Sequence, residues 1–281
     1  TYLQPIGHIN YDSIDANLTS DVSVANSIFK VTPQLDFEIM KYTLSIRPTY
    51  FSAYQNLNIS NKLFDNYKNI YTYPLLNVLF YKRGGISLSF NQQVNLPRAR
   101  DLTPIMDNTN PLFVFNGNVN LRAEKATTFS ISYRKYDVKK QVNFNSELYY
   151  EGTQNPIIQS VKILNTGKQE IKSMNAGNRH SVVTRLGISK SFQKINRYNH
   201  TVSFNLSYQN MVTPTVFNET EFSQKVNVFR TTVGNSFNWE DKFSFYYSYS
   251  YTANVNRFTN NFTADVLSNV QNLDVEVTAR L

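Results

Sequence analysis

Eleven stretches of this chain alternate apolar and polar residues, and short and long connections join them in strict turn. Phe243, Phe245, Tyr247, Tyr249 and Tyr251 fall on one face of a strand. Ser244, Ser248 and Ser250 fall on the other, with Tyr246 as the exception. A period of two is the mark of a strand with one greasy and one wet side. The run is about twice as long as the ~5–6 residues of a soluble strand. It approaches the about 9–11 residues that a tilted strand needs to cross a bilayer. Tight turns gathered at one end and long polar loops at the other predict an antiparallel up-and-down transmembrane β-barrel of the outer-membrane kind.

Strands are expected over Ile28–Met40, Tyr42–Ala53, Thr72–Lys82, Gly85–Leu96, Ala126–Asp137, Gln141–Gly152, Ser181–Gln193, Asn199–Met211, Val226–Trp239, Lys242–Asn254 and Val270–Leu281. Their apolar faces include Phe29, Val31, Leu35, Phe37 and Ile39; Leu44, Ile46 and Tyr50; Ile86, Leu88, Phe90, Val94 and Leu96; and Val202, Phe204, Leu206 and Tyr208. The opposite faces read Thr43, Ser45, Arg47, Thr49, then Ser203, Asn205, Ser207, Gln209. Arg134, Arg185, Asp274 and Glu276 also fall on the polar side, where a wet lumen can hold charges that lipid could not. Tight turns are expected at Met40–Lys41, Arg83–Gly84, Val138–Lys140, Lys194–Tyr198 and Glu240–Asp241. Long loops are expected at Tyr54–Tyr71, Pro97–Lys125, Thr153–His180, Val212–Lys225 and Val255–Asn269. Pro33, Pro48 and Pro74 weaken three of the strands, because proline cannot donate to a ladder. Tyr42, Tyr73, Tyr81, Tyr149, Tyr150 and Trp239 sit at strand ends, as interfacial aromatic girdles would place them.

The 281 residues carry no linker and no apolar run long enough for a membrane helix. A mean hydropathy of −0.40 does not argue against a barrel, whose lumen face and loops are polar. Zero cysteines exclude a disulfide framework and a thiolate metal site. The net charge of +8 is scattered, with Lys41, Lys82, Arg83, Lys139, Lys140, Lys194 and Arg197 at the expected inner turns. No basic helix or nucleic-acid motif accompanies it, so nucleic acid is not an expected partner. His8, His180 and His200 lack ligand partners at metal-binding spacing. No nucleophile elbow, phosphate loop or zinc-protease motif occurs, and Glu219 and Glu221 sit in a polar loop. No enzyme activity, metal or cofactor is expected.

The most particular stretch runs from Leu96 to Glu124. It contains Pro97, Leu102, Pro104, Asp107, Asn108, Asn110, Pro111 and Leu112, then Gly117, Asn118, Asn120, Leu121 and Glu124. The segment resembles a loop between two barrel strands of TonB-dependent-receptor-like outer-membrane proteins of the Bacteroidetes type, which reads approximately "P…L.P..DN.NPL....GNPNL.PE". This chain departs from it at Val119 and Ala123, where the pattern has proline. The resemblance implies a partial barrel: a fragment of a 22-stranded wall, without the plug domain that precedes it in the family. About eleven strands are read, or twelve if Gly7–Thr19 adds one and lets the chain close alone. No secretory leader opens the sequence, which implies a processed or excised segment. The loop's Pro and Asn residues fix turns, and Leu112, Phe113 and Phe115 give it something to pack. It is read as folding over the barrel mouth in preference to direct ligand contact.

The resemblance implies transport of a scarce solute driven by the TonB system, with outer-membrane lipid, the rest of the barrel and a plug domain as partners. Two rivals remain at this level. One is a non-transporting barrel scaffold in an envelope complex, with a surface lipoprotein or another subunit as partner. The other is a soluble β-sandwich adhesin, whose strands would also alternate.

Overall fold

The computed structural model describes residues 22–59, 66–82, 85–104, 107–110, 112–194, 198–240, 242–259 and 265–279. The segment Gly7–Thr19, a candidate extra strand, lies outside them. Sixteen strands and one helical turn account for most of the described chain. In order they are β1 (Val22–Val31), β2 (Leu35–Ile39), β3 (Tyr42–Ile59), β4 (Tyr67–Lys82), β5 (Ile86–Asn95), α1 (Ala99–Leu102), β6 (Asp107–Asn110), β7 (Phe113–Asn116) and β8 (Glu124–Asp137). Then come β9 (Val142–Gln154), β10 (Ile157–Ile163), β11 (Gln169–Asn175), β12 (Arg179–Lys194), β13 (Tyr198–Phe217), β14 (Thr220–Trp239), β15 (Phe243–Phe258) and β16 (Val266–Ala279).

The sixteen reduce to eleven positions in a wall. β1 and β2 are one strand broken at Thr32–Gln34, around Pro33, and both pair with β3. From there the wall runs antiparallel through β4, β5, β8, β9, β12, β13, β14, β15 and β16. Among the described residues β16 and β1 have no partner on their far sides, so the sheet is open there. The other four strands belong to the outer connections.

The alternation does what lipid requires. Reading across the register, Phe144, Ile188, Phe204, Val233, Tyr249 and Leu273 lie side by side on six consecutive strands. All six are exposed, at 36–66%. Phe37, Leu44, Phe80, Leu88, Ile131 and Leu148 form the matching row on the other half of the wall. A soluble sandwich would bury such a face against a second sheet. Here it is the outside of the wall, and the hydroxyls and amides between these residues line the inside. Aromatic pairs gather toward the short-turn rim: Tyr42 stacks on Phe80 at 5.5 Å, Phe192 on His200 at 5.7 Å and Tyr198 on Phe237 at 6.2 Å. Amphipathic rings are suited to that boundary. Tyr73 and Tyr149 do not join it. Tyr73 packs in an internal cluster, and the Tyr149 hydroxyl donates to Glu151 Oε2.

Several strands are longer than the alternation implies. The expected long loop Val212–Lys225 is instead a hairpin, since β13 and β14 pair without interruption to Phe217 and Thr220. Asn218 and Glu219 make its turn with φ of 47° and 65°. Two left-handed residues are what a two-residue hairpin turn needs. Asn-Glu lacks the glycine that usually announces such a turn. The expected loop Thr153–His180 holds a second hairpin, β10–β11, which turns at Gly167.

Candidate functional site

The inner face of β3 is polar as far as Thr49 and then changes. Phe51, Ala53, Leu57 and Ile59 occupy the same inward positions and are all buried. Tyr71 and Leu75 of β4 bury beside them. Apolar residues on the lumen side need a cover, and the segment that follows β5 supplies it. Ala123 joins Phe51, Ala53, Tyr71 and Leu75 in one cluster. Leu102 and Leu121 join Leu57 and Ile59 in another. Leu102, at 0% exposed, is the anchor of the motif segment.

The β4–β5 ladder makes room for this. Its pairs run only from Val78–Phe90 to Tyr81–Ser87. Beyond them, side chains replace the ladder: Leu76 N–H donates to Gln92 Oε1 at 3.1 Å, and Gln92 N–H to Asn77 Oδ1 at 2.9 Å. Val94 and Leu96, which share the alternation of Ile86, Leu88 and Phe90, pack against the Phe51 cluster instead of facing lipid. Pro74 stands on the same unpaired side of β4, where its missing N–H costs nothing.

The motif residues hold this segment in shape. Gln55 Nε2 donates to the Pro97 carbonyl at 3.0 Å. Tyr71 Oη donates to the Leu121 carbonyl at 3.1 Å. Gly117 N–H donates to the Thr103 carbonyl and Asn118 N–H to the Asp101 carbonyl. A Cβ on Gly117 would fall 2.3 Å from Thr103 O and 2.8 Å from Asp101 O, so only glycine permits this approach. Asn118 Oδ1 accepts from Asn120 N–H at 3.0 Å, closing the turn that leads to Leu121. Pro104 is half-buried beside this contact. Asp107, Asn108 and Asn110 fall in β6, paired to β7, and Pro111 lies outside the described residues. Leu112 and Phe113 are exposed, while Phe115 is buried under the Arg100 guanidinium, 4.4 Å from its ring centre.

A second loop locks onto the first. β11 adds to β7 in parallel, and β10 touches β13 at Val161–Phe217, so β10, β11, β7 and β6 make one four-stranded cap. Ser173, fully buried, donates to Asp101 Oδ1 at 2.9 Å. Asn175 accepts from Arg122 N–H and donates to the carbonyls of Arg122 and Asn155. Glu124 Oε1 accepts from Ile157 N–H at 2.7 Å. At the cap's edge Lys162 contacts Glu219 of the β13–β14 turn. The hydrogen bond holds the Glu219 carboxyl below its ordinary range and the Lys162 ammonium above its own.

Between cap and wall lies a cavity of about 540 Å³, lined by Asn95, Leu96, Arg98, Asp101, Glu124 and Ile157–Gln159. Asp101 and Glu124 spend carboxylate oxygens on the cap itself, while Arg98 stays exposed. The motif segment thus folds as part of this cap, and the cavity lies beside it. Gln55, Tyr71, Ser173 and Asn175 escaped the sequence reading because their partners lie 16–72 residues away. One signal is present: the face of β3 that reads Thr43, Ser45, Arg47 and Thr49 turns to Phe51, Ala53, Leu57 and Ile59, which a lumen face needs only where something docks inside.

No curated protein matches this chain. A model of the outer membrane protein beta-barrel family matches residues 46–274, from the first third of β3 into β16. That match, with the lipid-facing rows and the short-turn rim, places the protein in the outer membrane and removes the soluble-sandwich reading. The chain belongs to the outer membrane protein β-barrel family.

Proposed function

We propose that this chain forms the wall and capped outer vestibule of a TonB-dependent-receptor-like transporter for a solute. The observation that carries the reading is the direction in which the longest connection folds. A scaffold needs loops that reach outward to partners. Here the Pro97–Glu124 segment turns inward, buries Leu102 and Leu121 against the lumen side of β3, and leaves a cavity beneath the cap. Such a cap narrows the mouth and presents Arg98, Asn95 and backbone groups to whatever enters. The inner face below it is polar and wet enough to pass a hydrophilic solute.

The test is uptake by cells that make the full-length protein, scored over a panel of labelled solutes with and without the inner-membrane energising system. At least one solute should accumulate only when both are present. If deletion of the protein leaves every uptake unchanged while surface proteins co-purify with it, the scaffold reading replaces this one.

A further inference from the structure

The lumen side of β9–β15 carries charges that no cap covers. Register places Glu147, Arg185, Ser207, Arg230 and Thr252 side by side on consecutive strands, all facing inward. Arg185 and Arg230 thus flank Ser207 across two strand spacings, about 9–10 Å between backbones. Guanidinium side chains on such stems reach the space between them. Arg185 Nη1 bonds Glu147 Oε2 at 2.8 Å. Arg230 Nε donates to Thr252 Oγ1 at 3.2 Å, and among the described residues no carboxylate lies within ion-pair range of it. Each guanidinium has five N–H donors, so most remain unspent.

The wall beside them is shaped. One step along the strands, Asn145, Gly187, Asn205 and Thr232 share a row. A Cβ on Gly187 would fall 2.3 Å from Asn145 Oδ1 and 2.8 Å from Asn205 Oδ1. Glycine inside a strand weakens it and marks a close approach. Here it lets the Oδ1 atoms of Asn145 and Asn205 lie against the wall beside the arginines, so that the wall-side contact is made by the acceptor end of each amide. The recess they share has a volume of about 200 Å³. Two like charges with fork-shaped donors around one polar recess are the chemistry that takes an anion. Arginine forks suit carboxylate and phosphate oxygens in particular.

We propose that Arg185 and Arg230, in a recess walled by Asn145, Asn205 and Ser207, form an anion subsite in the lumen, which takes a carboxylate or phosphate group of the solute. Glu147 neutralises part of Arg185 and holds it in place, so the site keeps a net positive charge without fixing its ligand permanently. The solute class is then a hydrophilic molecule with at least one anionic group. This rests on the transport reading for its purpose, but binding itself does not depend on it.

The experiment is calorimetric titration of the full-length protein in neutral detergent at low salt, with citrate, inorganic phosphate or maltose as probe. Citrate or phosphate should bind and maltose should not; which of the two anions binds names the group. Arg230→Gln and Arg185→Gln should each weaken the anion by about ten-fold or more. Arg230→Lys should recover only part, because it keeps the charge and loses the fork. Gly187→Ala should also weaken binding, by pushing the Asn145 and Asn205 side chains into the recess. Arg257→Gln, at an outer-end pair with Asp265, should change nothing. Equal loss in Arg257→Gln would reveal a diffuse field with no site, and maltose binding as well as citrate would overturn the anionic class. If anions bind as expected but no uptake depends on the protein, the transport reading fails and the site stands. If uptake occurs and Arg230→Gln and Arg230→Lys both leave it and anion binding intact, the site fails and transport stands.

Discussion

The lumen side of β3–β4 and the lumen side of β12–β15 occupy equivalent positions in one sheet, and they are opposite in character. On β3–β4 the inward residues beyond Thr49 are Phe51, Ala53, Leu57, Tyr71 and Leu75, all buried. On β12–β14 they include Asn205, Ser207 and Arg230, which line an open recess. The strand geometry is the same, so the inner face has no intrinsic polarity. Its chemistry follows its neighbour: a folded cap in one region, water in the other. The outer face shows less contrast: rows such as Phe144 to Leu273 are exposed on every strand they cross, and Val94 and Leu96 depart from it only where the β4–β5 ladder ends.

The sharpest way to break that comparison is to unseat the cap. Leu102 is fully buried between β3 and Leu121. Leu102→Ala should cost the docked state about 2–5 kcal/mol, the range for a truncated core leucine. Limited proteolysis within Pro97–Glu124 should become fast, while the wall keeps its resistance to heat and detergent. Cleavage unchanged from the parent protein would mean that the cap is held by its rim alone.

A slightly smaller effect tests the outer face. Phe204→Arg places a charge in the lipid-facing row and should cost about 2–4 kcal/mol near the midplane. Ser203→Arg, one residue along and on the inner face, should fold into vesicles nearly as well as the parent. Equal damage at both positions would contradict a wall with lipid on one side and water on the other.

Next comes the close approach at Gly117. Gly117→Ala pushes a methyl group into the Asp101–Thr103 backbone, an overpacking worth about 1–3 kcal/mol. The readout is amide exchange at Gly117 and Asn118, whose N–H groups bond that backbone. Their protection should fall with little change at Ser207 or Val233.

These expectations also show how far the sequence carried. Alternation at Leu44, Phe204 and Tyr249 was enough to assign the lipid face, because a period of two is set locally and lipid rewards it everywhere. Arg185 could be placed in the lumen on the same grounds. The cap's existence was readable in the Pro97–Glu124 motif, but its docking was not. Docking depends on pairs such as Gln55 with Pro97 and Ser173 with Asp101, which only the folded chain brings together. The Asn218–Glu219 turn carries no local signal, since neither residue is the glycine that relieves a positive φ. A loop seen by its polarity was a hairpin held by its register.

The smallest effect concerns the tie between cap and wall at Lys162 and Glu219. The carboxyl of Glu219 lies below its ordinary range because Lys162 donates to it, so its contribution is present at neutral pH. It should fade as pH falls through the lowered value, where the protonated acid no longer attracts the ammonium. Lys162 is raised, so its contribution is complete below its ordinary value and is lost only as pH rises through the raised one, well into alkali. Stability at this edge should therefore be flat across neutral pH and fall at both extremes. Both side chains are exposed, so salt should flatten the response. The probe is the neighbouring pair of hydrogen bonds, Ile163 N–H to Asn218 Oδ1 and Asn218 N–H to the Val161 carbonyl. Their amide protection, corrected for intrinsic exchange, should drop in acid for the parent protein and stay level for Glu219→Gln. The same acid response in both would mean that the turn is held by its hydrogen bonds and that the ion pair adds nothing, leaving the β10–β13 contact to join cap and wall at this edge.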